Sequence, residues 1–310
     1  MKTKKILAAL LSALTVLAFS ACKSSDGNAS NPESTPGGQK VKVLVTFDAM
    51  AEFTKAVGKN KVDVSTIIPD GTEPHDFEPK AKDLAGLSNA QVFVYSGLGM
   101  EAWAEKAVGA AGNKKLVAVE ASKGVEAIRS TDAGEIQEHG QYDPHIWLSL
   151  KSAEIEAQNI RDALCKADPV NTEGYRKNCT GFVSQLESLF SEYDAKFHSE
   201  KSRSFVTGHA AFAYLCRDFG LTQNSVEDVF AEGEPSAQRL TDLITYCKEN
   251  HVKTVFVEDM VSPEISQTLA REVGAKVKKI YTIESAEDGK NYLDRMKANL
   301  QEIDESLKQG

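Results

Sequence analysis

Six histidines stand in the 310-residue chain, and three of them share one local setting. Pro74-His75 lies beyond a predicted strand ending at Ile68. Asp143-Pro144-His145 follows a loop after a predicted strand ending at Glu120, and Gly208-His209 directly follows a predicted strand at Ser204–Thr207. Open α/β sheets bind ligands outside the carboxyl ends of their strands, so three imidazoles delivered there can converge in one cleft. Neutral imidazole suits zinc, which usually takes four ligands from His, Cys, Asp or Glu. The best carboxylate for the fourth place is Glu284, in Tyr281-Thr282-Ile283-Glu284-Ser285, again just past a strand. The four candidates are separated by 70, 64 and 75 positions, so each comes from a different structural unit. Taken singly, each has an ordinary use: a histidine after a strand more often makes a turn hydrogen bond, and a lone glutamate is a surface charge. Their joint placement is what points to a metal. His139 falls in a loop, while His198 and His251 fall on a long helix and at a helix end and are given no metal role.

The elements that must position these residues alternate. Predicted strands at Val41–Phe47, Val62–Ile68, Val92–Tyr95 and Leu116–Glu120 are interleaved with helical stretches at Ala49–Val57, Pro79–Leu87 and Glu101–Ala111. That alternation indicates a parallel sheet flanked by helices. After Leu150 the pattern becomes helical. Ala153–Cys165 is followed by a break at Asp168-Pro169-Val170-Asn171. A proline-free run from Thr172 to His198 then repeats Phe182, Leu186, Leu189, Tyr193 and Phe197 at helical spacing. Such a helix is about 40 Å long, more than one small lobe needs, and is expected to be a spine between two lobes. Alternation resumes with strands at Ser204–Thr207, Ser225–Phe230, Thr254–Glu258 and Lys276–Tyr281, separated by helices at Phe212–Phe219, Pro235–Asn250 and Ile265–Val273 and closed by one at Tyr292–Leu307. The fold class is therefore α/β, with two parallel-sheet lobes joined by one long rigid helix and the metal between them.

Charge and termini narrow the function. Lys and Arg number 36 against 45 Asp and Glu, a net charge of −9, which excludes a nucleic-acid binder driven by phosphate neutralisation. No apolar run approaches the roughly 20 residues of a bilayer span. Lys2, Lys4 and Lys5 precede an apolar stretch from Ile6 to Phe19, and Phe19-Ser20-Ala21-Cys22 follows. This start is similar to the lipobox of bacterial lipoproteins, which implies cleavage before Cys22 and acylation of its thiol. Residues 23–39 are rich in Ser, Gly, Pro and Asn and cannot bury enough apolar area to order themselves, so they read as a tether. The expected organisation is a signal peptide at 1–21, anchor and tether at 22–39, one lobe at 40–170, the linking helix at 171–200 and a second lobe at 201–310. Four cysteines remain in an exported body. Three pairings into two disulfides are possible, and Cys165–Cys179 with Cys216–Cys247 is favoured because each pair lies on consecutive predicted helices; four buried free thiols are the alternative, since the body is large enough not to need staples.

Several segments together resemble a family. They are Gly71-Thr72-Glu73-Pro74-His75-Asp76-Phe77-Glu78-Pro79, Gly97-Leu98-Gly99-Met100-Glu101-Ala102-Trp103, Tyr142-Asp143-Pro144-His145-Ile146-Trp147-Leu148, Thr207-Gly208-His209-Ala210-Ala211-Phe212-Ala213-Tyr214 and the closing helix Tyr292–Leu300. From Lys40 to Leu307 the chain is similar to the zinc- and manganese-binding solute-binding lipoproteins of ABC importers, the ZnuA- and TroA-like group. The resemblance implies metal ligands at His75, His145, His209 and Glu284. It also implies an extracytoplasmic, lipid-anchored monomer that serves a permease and its ATPase, with zinc as cargo and manganese as the alternative. His at the third position favours zinc, since imidazole-rich, oxygen-poor sites prefer it to manganese. Many zinc importers carry a long His-rich loop before the second ligand. Here Gly124–Tyr142 holds only His139, beside Asp132, Glu135 and Glu138. Two further classes compete. A zinc hydrolase would need an open coordination position and a base, and no HExxH occurs. A surface adhesin would not require three histidines at strand ends. Because Glu284–Lys290 contains Gly289 and a polar run with little to bury, this loop is expected to be the mobile part that zinc orders.

Overall fold

Short apolar runs such as Val41–Val45 and Val92–Tyr95 suit strands buried on both faces, and they occupy the centre of a parallel sheet. The computed structural model describes residues 39–130, 136–137, 140–230, 235–259 and 262–310. In the first lobe β1 (Val41–Val45), β2 (Val62–Thr66), β3 (Val92–Tyr95) and β4 (Val117–Glu120) lie in the order β2-β1-β3-β4. In the second, β5 (Ser204–Thr207), β6 (Thr222–Ser225), β7 (Thr254–Val257) and β8 (Lys276–Lys279) lie in the order β6-β5-β7-β8. Every pairing is parallel; Val43, for example, sits beside Val64 on one side and Val92 on the other. In both sheets the first strand is flanked by the second and the third. The connections therefore leave it in opposite directions and open a crevice at its carboxyl end.

Nine helices are described: α1 (Asp48–Gly58), α2 (Ala81–Leu84), α3 (Ala104–Ala110), α4 (Leu150–Ala167), α5 (Thr172–Ser199), α6 (Ala213–Phe219), α7 (Ala237–Glu249), α8 (Pro263–Val273) and α9 (Tyr292–Leu307). Their ends carry the expected chemistry. Ser149, Ser236 and Asn291 cap α4, α7 and α9 by accepting from backbone N–H groups. Helix α8 starts at Pro263 and stops at Gly274, which takes a left-handed φ of 68°.

Helix α5 is the spine. Its 28 residues span about 42 Å and run unbroken through Gly174 and Gly181. Tyr175, Cys179, Phe182, Leu186, Leu189, Tyr193 and Phe197 form its buried stripe. Phe182 meets Phe53 of α1 and Tyr292 of α9, with ring centroids 5.9 and 6.1 Å apart. Further along, Phe190 stacks on Phe219 of α6 at 4.7 Å, and Phe197 meets the same ring edge-on at 5.1 Å. One apolar core thus runs from Val41 through the spine to Leu307 and takes in residues of both lobes. The Gly97–Glu101 turn closes the top of the first sheet. Glu101 accepts from Ser96 N, Gly97 N and Thr46 Oγ1 at 3.0, 3.0 and 2.6 Å, and a Cβ on Gly97 would collide with Glu120.

Three expectations are corrected. The sixth strand is Thr222–Ser225, not Ser225–Phe230: the polar TQNS segment suffices because it pairs on one side only, at the sheet edge. The disulfides Cys165–Cys179 and Cys216–Cys247 are not formed, and all four residues are free thiols. Cys216 belongs to the main core and Cys247 to a separate apolar cluster with Val206, Leu243 and Val252. Cys165 faces Thr172 O at 3.9 Å, and Cys179 interacts with Arg161. These side chains fill space as small apolar groups, and a body this large has core enough without staples. Finally, the Glu284 end of the Glu284–Lys290 loop is not short of burial: Ile283, Glu284, Ser285 and Glu287 are all buried.

Candidate metal centre

Each sequence-predicted ligand is delivered by a turn at a sheet's carboxyl edge, and the four meet. His145 Nε2 lies 3.1 Å from His75 Nε2 and 3.1 Å from His209 Nε2. Glu284 Oε1 lies 3.6 Å from both His75 Nε2 and His145 Nε2. One donor atom from each residue falls within 4.8 Å of all the others. A tetrahedral zinc with Zn–N bonds of 2.0–2.1 Å sets its ligand atoms about 3.3 Å apart, so these separations bracket what one ion requires. His145, His209 and Glu284 are buried, and the side chain of His75 is only 1% exposed.

The surroundings aim each group. His145 donates its backbone N–H to Asp143 Oδ1 at 2.9 Å, and its Nδ1 lies 2.9 Å from the same oxygen, which leaves Nε2 to face the cluster. Tyr214 OH donates to Asp143 O at 2.7 Å and so ties this turn to α6 of the second lobe. Thr207 Oγ1 and Gln223 Nε2 donate to His209 O at 2.6 and 2.9 Å, and His209 N donates to Glu258 Oε1 at 3.3 Å. His75 N donates to Glu73 Oε1 at 3.0 Å, and the His75 ring lies edge-on to Phe230 at 5.3 Å. Glu284 Oε2 accepts from Thr282 Oγ1 at 2.7 Å, whereas Oε1 has no hydrogen-bond donor and faces the imidazoles.

Electrostatics set the proton inventory. Burial disfavours a charged His145, but its contacts with Asp143 and Glu284 outweigh burial and raise its pKa to about 9. Burial, reinforced by the charge on His145, drives His209 down to about 3. Burial also lowers His75, against the pull of Glu284. For Glu284 burial acts upward, yet the histidines hold it well below the usual carboxylate range. Burial pushes Glu73 up to about 8, helped by Glu284, and pushes Glu258 up to about 8. The metal-free centre is thus one imidazolium beside one ionised carboxylate, with two neutral imidazoles.

Sequence reasoning missed Glu73, Glu258 and Phe230 as neighbours of this cluster. Glu73 sits inside the motif quoted for His75. Glu258 carried the same signal as the ligands, an acidic residue at the end of a strand. His198 is exposed on the spine, its Nδ1 2.8 Å from Asp194 O, and His251 is exposed beyond α7. Cys22 and His139 lie outside the described residues.

Residues 43–306 match the family described as zinc-uptake complex component A, periplasmic (ZnuA). A protein of Treponema pallidum (strain Nichols) is 43% identical over 282 residues, covering 88% of this chain and 89% of that one. The high-affinity zinc uptake system protein ZnuA of Bacillus subtilis (strain 168) is 37% identical over 298 residues, covering 91% and 92%. Among solved structures, the laminin-binding protein Lmb of Streptococcus agalactiae, titled a bifunctional protein with adhesin and metal transporting activity, superposes with a TM-score of 0.80. It is 36% identical and covers 87% of this chain and 100% of its own.

Proposed function

The chain belongs to the ZnuA family of zinc-uptake components, and from that premise we propose that it is an extracytoplasmic zinc receptor for an ABC importer. It binds one Zn2+ through His75, His145, His209 and Glu284 and presents it to a permease driven by an ATPase. The observation that carries this reading is the convergence of three imidazole nitrogens and one carboxylate oxygen, all within 4.8 Å of one another. Neutral nitrogen donors favour zinc over manganese. Four protein ligands also complete a tetrahedral shell, whereas a catalytic zinc keeps one position open. That shell argues against a catalytic ion, and membership in a family of zinc-uptake components supports reading it as cargo. Three neutral histidines and one carboxylate leave a local charge near +1, which Asp143 behind His145 partly offsets. A lipid on Cys22 and the tether at 23–39 would hold a monomeric receptor at the outer face of the membrane, within reach of the permease.

Metal analysis of protein refolded in mixed zinc and manganese tests the reading. One zinc per chain is expected, with binding weakened by His209→Ala and by Glu284→Ala. Manganese at one per chain in place of zinc would overturn it. The likeness to Lmb supports a second reading, adhesion alongside transport. Solid-phase binding to laminin tests that property separately, and it should not depend on His145.

A further inference from the structure

The segment that carries Glu284 is pinned at the carbonyls of Tyr281, Thr282, Glu284 and Ser285. Tyr281 N donates to Asn299 Oδ1 at 2.8 Å, and Asn299 Nδ2 returns a bond to Tyr281 O at 2.7 Å. Trp147 Nε1 donates to Thr282 O at 2.7 Å, and Asp48 N to Glu284 O at 3.4 Å. Arg295 Nη1 donates to Ser285 O at 2.7 Å, while its Nη2 pairs with Asp48. Arg295 is 1% exposed. Asp48 opens α1 of the first lobe and Arg295 stands on α9, so one buried ion pair spans the two elements between which Glu284 is held. The fork of a guanidinium suits this task, because its separate nitrogens reach two acceptors in fixed geometry. Inside this frame Ile283 takes a φ of +60°, a conformation that β-branched residues avoid, and it is fully buried. Such strain persists only where surrounding contacts over-determine the backbone. Here it sits one residue before the ligand.

The carboxylate is also constrained. Thr282 Oγ1 donates to Oε2 while Oε1 accepts no hydrogen bond and faces the imidazole cluster, so a metal that drew on both oxygens would compete with the threonine for Oε2. We propose that Arg295, Asp48 and Thr282 are positioning residues that hold Glu284 as a preset, one-oxygen ligand, and that this restriction widens the preference for zinc over manganese that the nitrogen donors begin. The proposal rests on the ligand assignment made above. Zinc is satisfied by four ligands in a tetrahedron. Manganese favours a larger, oxygen-rich shell, which a carboxylate free to turn and offer both oxygens would help to supply.

The test measures zinc and manganese affinity by chelator competition for wild type, Thr282→Val and Arg295→Lys, each with Glu284 intact and in a Glu284→Ala background. Visible spectra of the cobalt-loaded proteins report ligand number. Thr282→Val is expected to narrow the zinc-to-manganese affinity ratio at least tenfold and to weaken the cobalt bands as a second carboxylate oxygen joins. Arg295→Lys is expected to lower zinc affinity at least tenfold with Glu284 present and less than twofold without it, since its effect passes through that ligand. If the buried Arg295 variant does not fold, the near-isosteric Thr282→Val decides. An unchanged affinity ratio and cobalt spectrum in Thr282→Val, or an equal Arg295→Lys loss in both backgrounds, would overturn the proposal while leaving the ligand set standing. Unchanged zinc affinity in Glu284→Ala would overturn the ligand assignment and the proposal together.

Discussion

His145 is the hub of the cluster: it is 3.1 Å from each of the other imidazoles, and two carboxylates charge it. Replacing it with Ala should lower zinc affinity at least tenfold, about 1.4 kcal/mol, by titration calorimetry. Its raised pKa also relocates the pH dependence. A set of ordinary histidines would lose zinc as pH falls through about 6.5. Here His145 keeps its proton up to about pH 9 in the metal-free protein, and zinc must displace it. Binding at neutral pH should therefore release about one proton, and affinity should climb about tenfold per pH unit up to about pH 9. Calorimetry in buffers of different ionisation enthalpy measures this; equal apparent enthalpies in every buffer would contradict it. The convergence of the three histidines was legible in the sequence because Pro, Gly and Asp neighbours mark turns after strands. Their proton states were not, since these depend on burial and on Asp143 and Glu284 approaching from elsewhere in the chain.

Elements were legible where apolar periodicity is strong and obscure where it is not. The spine could be read from Phe182, Leu186, Leu189, Tyr193 and Phe197, and the structure adds what they grip. Phe182 packs against the touching rings of Phe53 and Tyr292, so Phe182→Ala should cost about 3–5 kcal/mol, seen as a lower denaturation midpoint in urea. A loss under about 1 kcal/mol would show that the spine is not braced at that ring. Strand β6 was misplaced because TQNS has no strand character of its own and is specified by its partner β5. The Glu284 turn was misjudged for the same kind of reason. Its polar residues look solvated, but Asp48, Trp147 and Gly71, which secure it together with the nearby Arg295, are remote in sequence.

For the whole molecule, the shared core across both lobes argues against a wide clamshell motion, since closure would have to break apolar packing along the spine. Zinc should instead add protection locally. Hydrogen exchange with and without the ion is expected to change at the turns bearing His75, His145 and His209, to change little at the already secured Glu284 turn, and to leave α5 unaffected. Slowed exchange along α5 and through both sheets would indicate a hinge-closing receptor. The three buried thiols bear on this economy in another way. Zinc is drawn to sulfur, and it is the thiolate that binds it. Cys179, Cys216 and Cys247 are buried, and burial raises their pKa values, Cys247 to about 11. The folded receptor thus keeps these sulfurs protonated and sealed from the ion it collects. Only an unfolded chain would expose them, so a zinc-rich surrounding would penalise incomplete folding with miscoordination while the native fold remains the form in which nitrogen and oxygen alone do the binding.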